Sequence, residues 1–199
     1  MPHAPSAVLD ANVLFPFQLR NLLLHLAAEG QFQPLWSDEI VAEFLRALQR
    51  DAGLTEAQCA HLSSQMRKYF PHAWRAEYAG AADGIALTDE GDRHVIALAA
   101  RHEAEYIVTR NLRHFPADVL RPLGVEPVDP ETFIEILFAV SPTAVLRAAE
   151  LHRCSLRRHP LAPDAYLESL HSRAILPRVA ELLRTSGFLD DSARIEPAA

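Results

Sequence analysis

Short apolar runs alternate with longer segments of helical periodicity from the start of the chain to about residue 140. Each run is only a few residues long, and several end in a polar residue, as buried strands do. Strands that alternate with amphipathic helices are typical of a parallel sheet covered by helices. The sequence therefore predicts an α/β domain with strands at Ala7–Asp10, Gln33–Trp36, Ile85–Leu87, Tyr106–Thr109 and Val125–Val128.

Residues that favour helix ends mark several of the intervening helices. Pro16 suits the first turn of a helix and Gly30 the position just past its end. Ser37 and Thr55 are predicted to cap two more helices, because a side-chain hydroxyl there accepts a hydrogen bond from a free backbone N–H. Asp89 is predicted to begin a fourth helix.

The pattern changes at about residue 141, because helical segments then follow one another with no strand between them. These segments lie near 142–156, 163–172 and 174–187. We therefore expect two parts, an α/β domain over residues 1–140 and an all-helical C-terminal extension over residues 141–199.

Composition narrows the class of protein. Of the 199 residues, 49% are hydrophobic and only two are cysteines, which argues against a disordered chain and against a disulfide scaffold. Cys59 and Cys154 lie far apart and form no paired motif, which fits a reducing compartment. No apolar run reaches the roughly 20 residues of a membrane span, and the first residues lack the pattern of a signal peptide. We expect a soluble, cytoplasmic protein with no membrane partner.

Oxygen-bearing side chains follow two of the predicted strands. Asp10 ends the first strand, and Asn111 lies just past the strand Tyr106–Thr109, so both are expected at the edge of the sheet where ligands bind. Asp92 lies within the apolar face of its helix, where a carboxylate without a partner is costly. Glu43 lies at the edge of another apolar face, from which it either reaches this site or is solvated. Each residue alone is also explained as a turn or capping residue, but together they suit Mg²⁺ or Mn²⁺ rather than zinc.

Four segments resemble the motifs of PIN-domain nucleases, and the resemblance covers about residues 6–136. The segments are Val8–Leu14, Ser37–Phe44, Asp89–Ala99 and Val108–Pro116. Within that family, the chain most resembles the VapC-type toxins of bacterial toxin–antitoxin pairs, in the longer form with a helical C-terminal extension. The resemblance implies a PIN-like three-layer α/β/α fold with a central parallel sheet.

The resemblance also implies roles for individual residues. The expected catalytic residues are Asp10, Glu43, Asp92 and Asn111, and the three acids among them are expected to hold Mg²⁺ or Mn²⁺. Many members have Asp at the position of Asn111, and a further Asp often stands at the position of His114. Both departures weaken the expected attraction for a second metal ion.

Two further groups of residues are expected around the acids. Basic side chains beside the site could bind phosphates, or could be solvated charges; these are Arg93, Arg110, Arg113 and His114, with His94 next to them. Supporting roles are expected for polar residues within the same motifs, namely Asn12, Ser37, Asp89 and Thr109.

The resulting hypothesis is a Mg²⁺- or Mn²⁺-dependent endoribonuclease in which water attacks an RNA phosphodiester and leaves a 5′-phosphate and a 3′-hydroxyl. Its expected partners are RNA, a cognate antitoxin protein and further copies of the same chain. The alternative is a catalytically weak or inactive PIN-like module that binds RNA or protein. A zinc site at His152, Cys154 and His159 matches no zinc spacing. An aspartate-nucleophile phosphatase would need a second Asp where this chain has Asn12.

The distribution of charge is compatible with RNA although the formal net charge is −7. Residues 1–140 contain 19 acids and 11 bases and include every expected metal ligand, whereas residues 141–199 contain 7 acids and 8 bases. Part of the acidity is therefore explained by a metal site, and the C-terminal part is the more basic one.

Overall fold

Four parallel strands form one sheet in the computed structural model, which describes residues 4–76, 78, 80–81, 90–156, 161–172 and 175–188. The strands are β1 (Ser6–Leu9), β2 (Gln33–Leu35), β3 (Tyr106–Val108) and β4 (Glu126–Val128). Four of the predicted strands are thereby confirmed. The predicted strand Ile85–Leu87 and the predicted helix start at Asp89 lie outside the described residues.

The strand order β2-β1-β3-β4 places β1 and β3 side by side at the centre of the sheet. Val8 of β1 pairs with Leu35 on one side and with Ile107 on the other. The chain passes from β1 to one edge through β2 and returns to the other side through β3 and β4, so the strand order reverses between β1 and β3. Ligand sites of open α/β sheets lie at the carboxyl ends of the strands at such a point.

The contacts between residues divide the chain into two compact groups of elements. The first group covers residues 1–15 and 32–129, and the second covers residues 16–31 and 130–199. Among its described residues, the first group contains the sheet and five α-helices. These are α1 (Ala11–Leu14), α3 (Asp38–Ala52), α4 (Glu56–Tyr69), α5 (Arg93–Arg101) and α6 (Ala117–Leu120).

Helix α3 illustrates how the sequence specifies these elements. The Ser37 hydroxyl accepts a hydrogen bond from the Ile40 N–H at 3.2 Å, as predicted for its N-cap. Residues spaced by about one helical turn, including Ile40, Phe44 and Leu48, are buried along one face. The helix ends at Gly53, whose φ of 68° is a left-handed conformation that glycine adopts without a steric penalty.

The second group is entirely helical within its described residues. It contains α2 (Phe17–Ala28), α7 (Pro130–Val140), α8 (Pro142–Ser155), α9 (Pro163–His171) and α10 (Pro177–Thr185). Fully buried aromatic rings such as Tyr166 and Phe188 contribute to its core. The predicted division at residues 140 and 141 stays a prediction, while the α/β class and the helical C-terminal region are confirmed.

Several arginines in the described part of this second group form ion pairs. Four arginines pair with glutamates at N–O distances between 2.5 and 3.8 Å; the pairs are Arg147–Glu29, Arg153–Glu150, Arg178–Glu131 and Arg184–Glu181. The positive charge of these four arginines is therefore partly compensated by neighbouring acids. Among the described residues, no helix is both long and apolar enough to cross a membrane.

Candidate active site

Asp10 lies directly after β1, and its side chain is buried at the carboxyl ends of the two central strands. Its backbone N–H continues the sheet ladder by donating to the Val108 carbonyl at 3.1 Å, and the residue is only 4% exposed. The Thr109 hydroxyl donates to Asp10 Oδ2 at 2.6 Å, and Asn12 Nδ2 donates to the same oxygen. The carboxylate is therefore held in one position by donors from both strand ends.

Burial raises the pKa of Asp10 above its ordinary value. The Thr109 hydrogen bond lowers this pKa, because it favours the charged form. The nearby negative charge of Asp92 raises the pKa, because it disfavours a second negative charge. The net direction is upward, so the charged form of Asp10 is destabilised in the folded protein. A cation beside the carboxylate would relieve that cost.

Thr109 and Asn12 connect the segments that follow β1 and β3. The Thr109 hydroxyl accepts from Asn12 Nδ2 at 3.0 Å and from the Asn111 N–H at 3.1 Å while it donates to Asp10. Asn12 Oδ1 accepts from the Arg110 N–H at 2.9 Å. This network fixes the backbone after both strands relative to the Asp10 carboxylate.

Asp92 occupies the N-cap position of α5, before the apolar face on which the sequence placed it, and a histidine lies beside its carboxylate. Its Oδ2 lies 2.7 Å from Nδ1 of His114, which is part of a 3₁₀ turn after β3. Asn111 Nδ2 lies 2.8 Å from the same Nδ1, and Arg113 Nε donates to Asn111 Oδ1 at 3.0 Å. Asp92 and His114 are both about one-fifth exposed.

Glu43 lies on α3 with its side chain 52% exposed, and its Oε2 is 3.7 Å from Nε2 of His94. Partial burial raises the pKa of Glu43, the charge of Asp10 raises it further, and His94 lowers it. The His94 ring is fixed on its other side, because Nδ1 lies 2.8 Å from the Gly91 carbonyl and donates to it. The charges of Asp10 and Asp92 thus both raise the pKa of Glu43.

The remaining predicted residues lie in different surroundings. Arg110 and Arg113 are exposed, and Arg93 is half-buried at the first residue of α5. Ser37 caps the helix that carries Glu43, and Asp89 lies outside the described residues. His114 is not recognisable from the sequence as the partner of Asp92, since the two residues are 22 positions apart and belong to different elements.

The donor set suits a hard cation that keeps part of its water shell. Within the described part of the chain, no three histidine, cysteine or acidic side chains converge closely enough to hold an ion by themselves. Mg²⁺ is usually bound through one or two carboxylates together with waters and substrate phosphates, rather than by a cage of protein ligands. The charge of Asp92 raises the pKa of Asp10, and both side chains are oxygen donors, so this pair fits such an ion.

A cavity of about 230 Å³ lies beside Glu43 within the first group of elements. Ala11 and Asn12 line it from α1, and Glu43, Ala47 and Asp51 line it from one face of α3. Glu43 therefore lines this cavity and is also electrostatically coupled to Asp10 and Asp92.

Comparison with known proteins identifies the family of the chain. The PIN domain family matches residues 6–113, which is more than half of the chain, and a family described as the VapC50 C-terminal domain matches residues 130–185. A Mycobacterium tuberculosis protein named "Putative ribonuclease VapC50" is 51% identical over 43 residues, which are 22% of this chain and 25% of that relative. No solved structure matches the chain. The chain therefore belongs to the PIN domain family and joins its PIN domain to a VapC50-type C-terminal domain, as the resemblance predicted.

Proposed function

We propose that this protein is a divalent-cation-dependent endoribonuclease and that Asp10 and Asp92 hold the cation. The observation that carries the proposal is the buried Asp10 carboxylate with a raised pKa, electrostatically coupled to Asp92 at the point where the strand order reverses. The name of the Mycobacterium tuberculosis relative supports RNA as the substrate class.

Different residues are expected to position the metal ligand Asp10 and to accept the proton of the attacking water. Thr109 and Asn12 keep the Asp10 carboxylate in place, so little of its freedom remains to be lost when the site is loaded. Mg²⁺ or Mn²⁺, when bound, would compensate the charge of the RNA phosphate and lower the pKa of a bound water. Glu43 is suited to accept a proton from the attacking water at Oε2, because its raised pKa brings it closer to the range of a general base.

Arg110 and Arg113 are proposed to bind RNA phosphates next to the cleaved bond. Both are exposed and follow β3, on the segment whose backbone Asn12 and Thr109 hold. Phosphate contacts of this kind position the chain and carry no base specificity. Their loss is therefore expected to weaken RNA binding similarly for different sequences.

Cleavage of RNA by the purified protein tests the proposal. We expect Mn²⁺-dependent, EDTA-sensitive cleavage that disappears in both Asp10→Asn and Asp92→Asn. Asp118→Asn is the matched control, because Asp118 is an exposed acid in the first turn of α6. Wild-type cleavage by either active-site variant, with folding confirmed by circular dichroism, refutes the assignment.

A catalytically inactive module that binds RNA or protein is the second candidate. Asn111 favours it, because an amide stands where many relatives have a carboxylate, and its side chain contacts His114 and Arg113. Thermal unfolding separates the candidates, since a cation that binds only the folded state raises its melting temperature. An active site predicts a Mn²⁺-induced increase that Asp10→Asn removes, whereas an inactive module predicts none.

We also propose the biological setting of a toxin–antitoxin pair, with a small antitoxin protein and further copies of the chain as partners. The VapC50-type C-terminal match over residues 130–185 supports this setting. Expression of the protein alone is expected to arrest bacterial growth, and co-expression of the neighbouring small gene is expected to relieve the arrest. Growth that Asp10→Asn slows as strongly as the wild type contradicts it.

A further inference from the structure

We propose that His114 is a positioning residue for the metal ligand Asp92 and does not bind the RNA. The inference rests on the proposed function, since it concerns how the same site binds its cation. It replaces the role in substrate binding that the sequence alone suggested for this histidine.

The partners of His114 Nδ1 indicate whether this nitrogen carries a proton. Nδ1 is 2.7 Å from Asp92 Oδ2 and 2.8 Å from Asn111 Nδ2, yet a carboxylate only accepts hydrogen bonds and an amide nitrogen only donates them. One nitrogen cannot satisfy both at once. The Asn111 amide is oriented by Arg113, whose Nε donates to Asn111 Oδ1 at 3.0 Å. We assign the proton to Nδ1 and the bond to Asp92, because a hydrogen bond to a charged acceptor is the stronger of the two.

The environment of Asp92 gives this bond its importance. Asp92 is the N-cap residue of α5, and no cap hydrogen bond from its side chain to the helix backbone is formed. The carboxylate is therefore not held by its own helix, as an N-cap aspartate usually is. The bond from His114 fixes Oδ2 and with it the direction of the whole carboxylate.

His114 belongs to the same short segment after β3 that organises Asp10. Within this segment, the Asn111 N–H donates to the Thr109 hydroxyl, and Asn111 Nδ2 lies 2.8 Å from His114 Nδ1. Thr109 in turn donates to Asp10. One short segment after β3 thus positions a carboxylate from β1 and a carboxylate from α5 at the same time.

A residue in this role affects metal affinity in the absence of RNA. Removing an outer-shell partner of a metal ligand typically lowers metal affinity by about 10- to 100-fold. A residue that binds RNA phosphate instead affects the KM for RNA and leaves Mn²⁺ affinity unchanged. The two roles therefore give different results in a titration that contains only protein and Mn²⁺.

The test compares Asn and Gln at position 114. The Asn side chain places its Nδ2 donor where histidine has Nδ1, whereas Gln places its donor one methylene further away. Mn²⁺ binding by the full-length protein is measured from the electron paramagnetic resonance signal of free Mn²⁺, with unfolding of each metal-free variant as a check of folding. His72→Ala is the control, because His72 is exposed on a 3₁₀ turn elsewhere in the same group of elements.

We expect His114→Ala and His114→Gln to bind Mn²⁺ about 10- to 100-fold more weakly, and His114→Asn to remain within a few-fold of the wild type. Equal affinity of His114→Gln and the wild type overturns the inference and leaves the proposed nuclease intact. Equal weakening in His114→Asn and His114→Gln also overturns it. Absence of Mn²⁺ binding by the wild type overturns the metal site together with the inference.

Discussion

Replacing Thr109 with Val tests the hydrogen-bond network that holds Asp10. Val has the shape of Thr without the hydroxyl, so the 2.6 Å bond to Asp10 Oδ2 is lost, and Asn12 Nδ2 and the Asn111 N–H both lose this acceptor. Thr109 is fully buried and Asp10 is 4% exposed, so water does not easily replace the missing partner. Net contributions of hydrogen bonds to charged groups are about 1.5–3 kcal/mol, and the two further lost bonds bring the expected destabilisation to about 2–4 kcal/mol at neutral pH, since Asn12 Nδ2 keeps Asp10 Oδ2 as an acceptor.

The same variant has a defined pH dependence. The Thr109 hydrogen bond lowers the pKa of Asp10, so its removal raises that pKa further. Once Asp10 is protonated in the folded state, the charge-assisted part of the bond no longer contributes. The stability difference between wild type and Thr109→Val is therefore expected to decrease as the pH falls into the carboxylate range.

Urea unfolding followed by circular dichroism, at pH 7.5 and pH 4.5 with EDTA present, measures both effects. Thr109→Ser is the control, because it keeps the hydroxyl and removes only a methyl group. A difference below about 0.5 kcal/mol between wild type and Thr109→Val at pH 7.5, which is the range of surface substitutions, would refute this account of Asp10. So would a loss in Thr109→Ser as large as that in Thr109→Val.

Two further predictions concern buried titrating groups. Because the folded-state pKa of Asp10 lies above its ordinary 3.8, ionisation destabilises the metal-free fold at neutral pH, and Asp10→Asn should melt at a higher temperature at pH 7 but not below pH 3.8. An equal or lower melting temperature for Asp10→Asn at pH 7 counts against this. Burial lowers the pKa of His152 from 6.5 to about 3. As the pH falls through 6.5, His152 is therefore protonated in the unfolded chain but stays neutral in the folded protein, which favours unfolding. The fold should lose about 2 kcal/mol from this group between pH 7 and pH 5, and urea unfolding of His152→Gln should show a correspondingly smaller loss; equal losses would contradict the assignment.

Local signals in the sequence were sufficient for the positions of Asp10 and Glu43. Asp10 follows a short apolar run, and the end of a parallel strand determines where such a side chain lies. The Ser37 cap fixes the start of α3, and helical phase then places Glu43 at the edge of the buried face. These features depend only on neighbours in the chain, which is why periodicity and capping rules capture them.

Contacts between segments that are distant along the chain could not be predicted from the sequence. Helical phase showed that Asp92 needs a partner, but it did not identify His114, since that choice depends on how β3 and α5 lie beside each other. The same reason applies to α2, which precedes most of the sheet along the chain and yet groups with the C-terminal helices. Hydrophobic periodicity describes one element at a time and contains no information about which elements meet.

The chemistry of the RNA ends tests the central claim most directly. Fragments produced by the purified protein with Mn²⁺ would be sequenced by a ligation that requires a 5′-phosphate, for the wild type, Asp92→Asn and the Asp118→Asn control. Hydrolysis at the Asp10 and Asp92 site predicts Mn²⁺-dependent 5′-phosphate ends from the wild type and the control and none from Asp92→Asn. The same ends at the same abundance from Asp92→Asn, or 5′-hydroxyl ends from the wild type, would contradict it.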